Sequence, residues 1–330
     1  MRAENQKINA FPTAIITGVY GQDGFYLANF LSKRGYRVIG LVRDGTRRHE
    51  HHRPNAEIIS CNLLDGLSFR EVLEKYAPRE VYNLAARASS SQLSTEVELT
   101  AEINGLAVVR MLEAVKTVGR SIRFCQASSS EMFGMATESP QNEVTPFRPR
   151  NPYGVAKLMA HGMTGMYRTY FNTFACSAIL FNHESPRRGH EFVTRKVTAA
   201  VARIKAGLSD LLELGSLDAR RDWGYAPDYV DAMWRMLQAP KPDDYVVATG
   251  VSHSVRDLCK IAFDYAGLDY QKFVKADVIP AHSLDRFPLV GDASKAKSVL
   301  GWQPTVPFVE FVHQMVDADM ANLEQRPIKP

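Results

Sequence analysis

Short apolar runs alternate with amphipathic stretches along the first half of the chain. The run at 14–17 reads AIIT and predicts a buried strand, whereas 23–35 carries its apolar residues at helical spacing and ends in a glycine. This alternation predicts a doubly wound α/β fold, in which a parallel sheet carries helices on both faces. Strands are predicted at 14–17, 36–42, 58–62, 81–86, 122–127 and 174–181, and helices at 23–35, 67–76, 97–118 and 151–171.

The pattern becomes less regular after residue 181. It predicts helices at 192–206, 229–237 and 255–266, a short strand at 211–214, and a terminal helix with the apolar stripe Phe308, Phe311, Val312, Met315 and Val316. We interpret this stripe as core packing. We expect a cofactor-binding domain at 12–184 with returning segments near 222–260, and a smaller, discontinuous substrate-binding domain at 185–330.

Charge and hydropathy argue against several classes of protein. A net charge of +4 over 330 residues is too weak to favour nucleic acid as a partner, although it is compatible with an anionic small substrate. No apolar run approaches the ~18 residues of a membrane span, and the polar N-terminus lacks the apolar stretch of a signal peptide. We therefore expect neither nucleic acid nor membrane as a partner, and a cytoplasmic location.

Neither the cysteines nor the histidines predict a metal site. The cysteines are Cys61, Cys125, Cys176 and Cys259. They are far apart and form no CxxC pair, so we expect reduced thiols in the core of a cytosolic protein. The cluster of His49, His51 and His52 has no further ligands at suitable spacing, and we interpret it as a solvated loop.

Three glycines directly follow the first predicted strand. Gly18, Gly21 and Gly24 form a GxxGxxG pattern that opens the first predicted helix. Missing side chains allow a tight turn and the close approach of a pyrophosphate, and the helix N-terminus adds free N–H groups. The pattern therefore predicts a Rossmann-type dinucleotide site, and its spacing points to the short-chain dehydrogenase branch of that fold.

The end of the second predicted strand bears on the choice between NAD and NADP. An acidic residue at this point binds the ribose hydroxyls of NAD, whereas arginines accept the 2′-phosphate of NADP. The sequence places Arg43 before Asp44 and continues with Arg47 and Arg48. We therefore predict NADP, with NAD as the alternative.

Tyr153 and Lys157 stand four residues apart in the predicted helix 151–171, so they share one helical face. We expect the lysine to lower the pKa of the neighbouring phenol and to favour its phenolate. A phenolate is a suitable base for a sugar hydroxyl as hydride leaves the same carbon. Downstream of a glycine-rich cofactor turn, the pair predicts a redox site.

Ser129 and Glu131 follow the fifth predicted strand, at the edge where parallel sheets bind ligands. A simple dehydrogenase or an epimerase has no clear need of this carboxylate. A 4,6-dehydratase must remove the C5 proton of a 4-keto sugar and protonate the departing C6 hydroxyl, and one glutamate can do both in turn. Ser129 is the candidate to hydrogen-bond the C4 oxygen.

Several longer segments resemble the GDP-mannose 4,6-dehydratase family, from about residue 14 to about residue 320. The segments are 18–27, FCQASSSE at 124–131, YGVAK at 153–157, FNHESPRRG at 181–189, FVTRK at 192–196 and RDWGYAPDYV at 221–230. The resemblance implies a lyase that passes hydride from C4 of a GDP-sugar to NADP, eliminates water across C5–C6 and returns the hydride to C6. It also implies a homodimer or homotetramer.

The resemblance assigns roles to individual residues. Tyr153 is the C4 base with Lys157 as its partner, and Glu131 is the C5 base and C6 acid. His183 and Arg188 become cofactor contacts beside the glycines and Arg43. Further implied cofactor residues are Gln22, Asp23, Asn62, Leu63, Leu84, Ala85, Ala86, Tyr153 and Lys157. The implied substrate residues are Ser129, Asn182, Glu184, Val193, Lys196, Arg221, His282 and Asp285.

Two segments depart from the family pattern. The chain reads AARASS at 85–90 where the family has AAQSHV, and AHSLDR at 281–286 in place of an RPAEVD-like run that grips diphosphate and ribose. GDP-manno-heptose is therefore an alternative substrate. A nucleotide-sugar 4-reductase or epimerase is a second alternative, against which Glu131 argues. A cofactor-binding sensor without turnover is a third, and the complete catalytic set argues against it.

Overall fold

The computed structural model describes residues 11–45, 53–88, 95–119, 121–277 and 288–324. The strands in these ranges are β1 (Thr13–Thr17), β2 (Arg37–Val42), β3 (Glu57–Ser60), β4 (Glu80–Asn83), β5 (Arg123–Ser129), β6 (Phe174–Leu180), β7 (Asn182–Glu184), β8 (Leu212–Leu214), β9 (Arg220–Tyr225), β10 (Asp244–Val247), β11 (Ser252–Ser254) and β12 (Val274–Ala276). Seven of them pair in parallel in the order β10-β6-β5-β4-β1-β2-β3. The predicted doubly wound parallel sheet is confirmed. The direction of winding reverses between β1 and β4, where such sheets bind ligands.

Helices cover both faces of this sheet. The helices of the described ranges are Gln22–Lys33, Gly66–Tyr76, Val97–Ala101, Ala107–Val118, Pro152–Phe171, Val193–Lys205, Ala226–Gln238, Val255–Tyr265, Ser294–Leu300 and Phe308–Glu324. Gln22–Lys33 and Ala226–Gln238 contribute to the apolar core on one face. Gly66–Tyr76, Ala107–Val118 and Pro152–Phe171 contribute to the core on the other face.

The second half of the chain adds two small sheets. Strands β7, β9 and β11 form one sheet, and β8 pairs with β12 in the other. A third apolar core lies among the helices Val193–Lys205, Val255–Tyr265 and Phe308–Glu324. The predicted stripe of the terminal helix is buried in this core, so its interpretation as core packing is confirmed.

Five strands lie where the sequence predicted none, namely β7, β9, β10, β11 and β12. A π turn, Glu102–Leu106, also interrupts the predicted helix 97–118. Within it, the buried Asn104 accepts a hydrogen bond from Arg87 N and donates one to Arg87 O, both at 2.9 Å. These bonds tie the interrupted helix to the chain that follows β4, a setting in which π turns are often functional.

The strand predicted at 81–86 ends at Asn83. The N–H groups of Leu84 and Ala85 donate to Thr17 Oγ1 at 3.1 and 3.0 Å instead of continuing the ladder. The chain therefore leaves the sheet at its switch point, and Leu84 and Ala85 line a cavity there.

Other expectations concern membranes, metals and thiols. No helix within the described ranges is long and apolar enough to cross a membrane. Among the same residues, no three His, Cys, Asp or Glu side chains are grouped as metal ligands would be. His49, His51 and His52 lie outside the described residues. All four cysteines are buried free thiols, as expected.

Candidate active site

The glycine turn after β1 is built for close approach. Gly18 has φ +67°, and a Cβ on it would lie 2.9 Å from Ala85 Cα. A Cβ on Gly24 would lie 2.4 Å from Gly18 O, so the helix packs directly on the turn that precedes it. Side chains at these positions would displace backbone. The turn therefore presents bare backbone and the N-terminus of Gln22–Lys33 to the sheet edge.

A cavity of about 410 Å³ opens beside this turn. Eight of the predicted cofactor residues line it: Gly18, Gly21, Arg43, Asn62, Leu63, Leu84, Ala85 and Ala86. Tyr20 and Leu99 line it as well. The Tyr20 hydroxyl is buried and has no hydrogen-bond partner among the described residues, which makes it a candidate donor to a bound nucleotide. Arg47 and Arg48 lie outside the described residues.

Asp23 and His183 join the glycine turn to β7. His183 Nε2 lies 2.9 Å from Asp23 Oδ2, and its Nδ1 lies 2.7 Å from Phe181 O. Burial alone would lower the pKa of His183, but the Asp23 carboxylate outweighs burial, and the net direction is upward. Gln22 braces the same junction, since its Nε2 donates to His183 O at 2.9 Å and its Oε1 accepts from Ser185 Oγ at 2.7 Å.

A second cavity, of about 680 Å³, shares Leu84 and Ala86 with the first. All four predicted catalytic residues line it, namely Ser129, Glu131, Tyr153 and Lys157. Asp23, His183 and Arg188 line it too. The structure therefore brings the predicted redox pair and the predicted carboxylate to one space, next to the predicted cofactor site.

Ser129 and Glu131 come from the end of β5 and the turn that follows it. Ser129 Oγ accepts a hydrogen bond from Glu131 N at 3.2 Å and caps the 3₁₀ turn Ser130–Met132. Asn151 Nδ2 donates to Glu131 Oε2 at 2.8 Å. These bonds place the carboxylate at the carboxyl edge of the sheet, on the cavity wall.

Tyr153 and Lys157 share one face of the helix Pro152–Phe171. Lys157 Nζ lies 5.6 Å from the centre of the Tyr153 ring and donates to Ala127 O at 2.6 Å. Burial raises the pKa of Tyr153 to about 12, and it lowers the pKa of Lys157 from 10.5 to about 8. The expected lowering of the phenol pKa is therefore not found for the protein alone, because burial is the largest cause of the shift and the opposing influences of Ser129 and Arg188 do not overcome it.

Only some of the predicted substrate residues line the second cavity. Asn182, Val193, Lys196 and Arg221 line the second cavity. Glu184 is not among the described residues that line it: the side chain is buried, accepts from Thr194 Oγ1 at 2.5 Å and pairs with Arg188 Nε at 3.2 Å. Its pKa is raised by burial. His282 and Asp285 lie outside the described residues.

The structure adds wall residues that sequence reasoning missed. They include Arg150, Asn151, Glu191 and Glu213. Asn151 carried a detectable signal, because an asparagine directly before a proline is typical of a helix N-cap next to N1. The others lie in loops or on the short strand β8, and no pattern in the sequence marks them.

A nucleotide turn at the sheet switch point, together with a Tyr–Lys pair facing the adjoining cavity, defines a short-chain dehydrogenase-type fold and site. The family model described as GDP-mannose 4,6 dehydratase matches residues 15–315. GDP-mannose 4,6 dehydratase 2 of Arabidopsis thaliana is 46% identical over 336 residues, covering 97% of this chain and 90% of the relative. The chain belongs to the GDP-mannose 4,6-dehydratase family, and the resemblance seen in its motifs is confirmed.

Solved structures agree on the fold. The RMD protein of Pseudomonas aeruginosa, complexed with NADPH, superposes with a TM-score of 0.81 at 23% identity, covering 94% of this chain and 99% of that one. The dTDP-glucose 4,6-dehydratase of Bacillus anthracis, in complex with NAD, superposes with a TM-score of 0.79 at 19% identity, covering 95% and 98%. At these identities the likeness confirms the Rossmann-type fold alone.

Proposed function

We propose that this chain is a GDP-sugar 4,6-dehydratase that converts GDP-mannose, or a close GDP-sugar, to the GDP-4-keto-6-deoxy sugar. The observation that carries the proposal is the presence of Glu131 in the cavity that also holds Ser129, Tyr153 and Lys157. Family membership supports the substrate class. A 4-reductase or epimerase would use the tyrosine and lysine but would leave the carboxylate without a role.

Tyr153 acts as the base on the C4 hydroxyl. A hydrogen bond from Ser129 to the Tyr153 phenol opposes the rise in the phenol pKa that burial causes. Ser129 therefore lies close enough to the phenol to contact the same C4 oxygen. Lys157 Nζ donates to Ala127 O and lies 5.6 Å from the centre of the phenol ring. Bound coenzyme would take hydride from C4, return it to C6 and, in its oxidised form, add the positive charge that favours a phenolate.

Glu131 then takes the proton from C5 of the 4-keto sugar. The C5–C6 double bond forms as the C6–O bond breaks, and the same proton leaves with the C6 hydroxyl as water. One carboxylate serves both parts of the elimination, because the proton that it removes from C5 is the proton that it donates to the departing hydroxyl. When hydride returns to C6, C5 must gain a new proton, which Glu131 takes from solvent and delivers.

We propose NADP as the coenzyme. The residues fit a dinucleotide, because the Gly18 turn leaves no room for a side chain and the Tyr20 hydroxyl is a buried donor on the wall. Arg43 lines the same cavity at the end of β2, where a 2′-phosphate would lie. We also assign Gln22, Asp23, Gly24, His183 and Arg188 to the NADP site, as the sequence predicts.

We assign the cationic wall of the second cavity to the GDP diphosphate. Arg150, Lys196 and Arg221 lie on this wall, and burial lowers the pKa of Arg221 without neutralising a guanidinium. Guanidinium and ammonium groups are the usual partners of phosphate oxygens. His282 and Asp285 remain predicted contacts to the diphosphate and ribose of the GDP-sugar.

GDP-manno-heptose is the second candidate substrate. Ala88 lines the second cavity at the position where the family pattern has serine, so the wall is less polar and less filled there. A heptose carries an extra hydroxymethyl group on C6, and added space near the sugar would accommodate it.

We propose a homodimer or homotetramer assembled through the helix Pro152–Phe171. Val155, Met159, Met166 and Tyr170 are 44–75% exposed and lie along one side of this helix. An apolar helical stripe of this kind is self-complementary about a two-fold axis. Light scattering should show an oligomer for the wild type and a smaller species for Met159→Glu.

We also propose a cytoplasmic location. Cys125 and Cys176 lie opposite each other on neighbouring strands, and both are free thiols. Free cysteine pairs of this kind are typical of a reducing compartment.

The function is tested by incubating the purified protein with a panel of GDP- and UDP-sugars and measuring loss of water by mass spectrometry. We expect water loss from GDP-mannose or GDP-manno-heptose and none from UDP-sugars. Tyr153→Phe is the negative control. If no GDP-sugar loses water in the presence of NADP, the proposal is wrong.

A further inference from the structure

Asn151 lies between the two halves of the catalytic machinery. Its Oδ1 accepts a hydrogen bond from Gly154 N at 2.8 Å and caps the helix that carries Tyr153 and Lys157. Its Nδ2 donates to Glu131 Oε2 at 2.8 Å. A side-chain amide offers an acceptor at one end and donors at the other, so the two contacts together fix its orientation.

The main chains of the two halves also touch. A Cβ on Gly154 would lie 2.5 Å from Glu131 O, so the start of the helix packs against the backbone of the Ser130–Met132 turn without room for a side chain. The backbone spacing between Tyr153 and Glu131 is therefore fixed. The Glu131 side chain keeps its own rotatable bonds, and the Asn151 contact restrains them.

We propose that Asn151 is a positioning residue that holds the two proton-transfer groups, Tyr153 and Glu131, at a fixed separation. This inference rests on the proposed dehydratase function. With Oε2 engaged by the amide, Oε1 is the oxygen that accepts the C5 proton and returns it to the departing C6 hydroxyl. The cap and the carboxylate contact come from one amide, so the C4 base and the C5 base keep a constant separation.

Two substitutions separate the cap from the carboxylate contact. Asn151→Ser keeps a good N-cap acceptor for Gly154 N, but the hydroxyl is too short to serve Glu131 as well. Asn151→Asp also keeps the cap, but it removes the donor and places a second carboxylate beside the first. Asn151→Ala removes both contacts and reports the effect of the cap itself on stability.

The test measures the two chemical steps separately in the full chain with NADP and the GDP-sugar that the wild type dehydrates. C4 oxidation is followed as transient NADPH absorbance in a single turnover, and C5 chemistry is followed as deuterium uptake from heavy water. For Asn151→Ser we expect C4 oxidation within about twofold of wild type and C5 exchange about 10- to 100-fold slower, the range for a lost hydrogen bond to a charged group. For Asn151→Asp we expect C5 exchange to slow by at least as much, because the donor to Glu131 Oε2 is lost while the helix cap is kept.

The failure modes are distinguishable. If the wild type dehydrates a GDP-sugar and both Asn151→Ser and Asn151→Asp keep the wild-type ratio of C5 exchange to C4 oxidation, Asn151 is only a helix cap and the inference is wrong. Equal slowing of both steps in Asn151→Ser would also overturn it, since that result indicates a general structural effect. If the wild type dehydrates no GDP-sugar, the proposed function fails, and this inference fails with it.

Discussion

Glu131→Gln removes the carboxylate that separates a dehydratase from the other enzymes of this fold. The change is nearly isosteric, and the amide oxygen can still accept the hydrogen bond from Asn151 Nδ2, which is 2.8 Å long in the wild type. Geometry is therefore retained, and proton transfer is the property that is lost. A positioned acid–base group contributes about 10²–10⁴ in rate, so dehydration should fall by about 10² or more.

The assay separates this loss from a loss of C4 oxidation. Tyr153 and Lys157 are untouched in the variant, so enzyme-bound NADPH and a 4-keto sugar that retains its C6 oxygen should accumulate, and deuterium uptake at C5 should disappear. Glu138→Gln is a matched control. Glu138 is an exposed glutamate in the same connection between β5 and the helix Pro152–Phe171, and in the described structure its carboxylate accepts one hydrogen bond, from the Thr145 hydroxyl. Near-normal dehydration with continued deuterium uptake in Glu131→Gln would refute the assignment of Glu131 as the C5 base.

Three further predictions follow from the site and its surroundings. Tyr153→Phe should abolish C4 oxidation while the affinity for NADP, measured by fluorescence titration, changes little; near-full activity would show that the phenol is not the base. Lys157→Met should abolish activity yet stabilise the coenzyme-free chain against urea at pH 7 by up to about 3 kcal/mol, because burial lowers the lysine pKa from 10.5 to about 8. Because the pKa of Lys157 is lower in the folded chain than in the unfolded chain, the buried ammonium destabilises the wild type fully below pH 8, and this effect fades as pH rises to 10.5. A stability gain in Lys157→Met that is independent of pH would contradict this explanation. Asp319→Asn should lower the free energy of unfolding by about 3 kcal/mol because it leaves the buried Arg195, 2.7 Å away, without its charge partner, and Arg195→Met in the same chain should recover much of the loss.

The parallel sheet was predictable because its strands are apolar on both faces, and a strand such as β1 reads as a continuous apolar run. Strand β10 has only four residues and follows a polar, proline-containing turn. It becomes a strand by pairing with β6, a tertiary contact that no local pattern encodes. The π turn at Glu102–Leu106 escaped prediction for the same reason, since Asn104 bonds to a segment that lies 17 residues earlier.

That the four candidate catalytic residues line one cavity was predictable, because helical spacing puts Tyr153 and Lys157 on one face and Ser129 and Glu131 follow the end of a parallel strand. Their electrostatics were not. The pKa of Tyr153 and the pKa of Lys157 are each shifted mainly by the burial of that group, and burial is a property of the assembled fold. Asn151 illustrates the same limit, because its role as a cap is local whereas its contact with Glu131 spans 20 residues of chain.

The central claim is an internal redox cycle around a dehydration, and isotope transfer tests it most directly. The substrate is GDP-mannose, or GDP-manno-heptose if that sugar proves to be the one dehydrated, labelled with deuterium at C4. It is incubated with the enzyme and unlabelled NADP, and the product is analysed by NMR. The account predicts that the deuterium is found at C6 of the 4-keto-6-deoxy product, with no net formation of NADPH. Deuterium lost to a stoichiometric pool of NADPH, or returned to C4 of a product that retains its C6 oxygen, would contradict it.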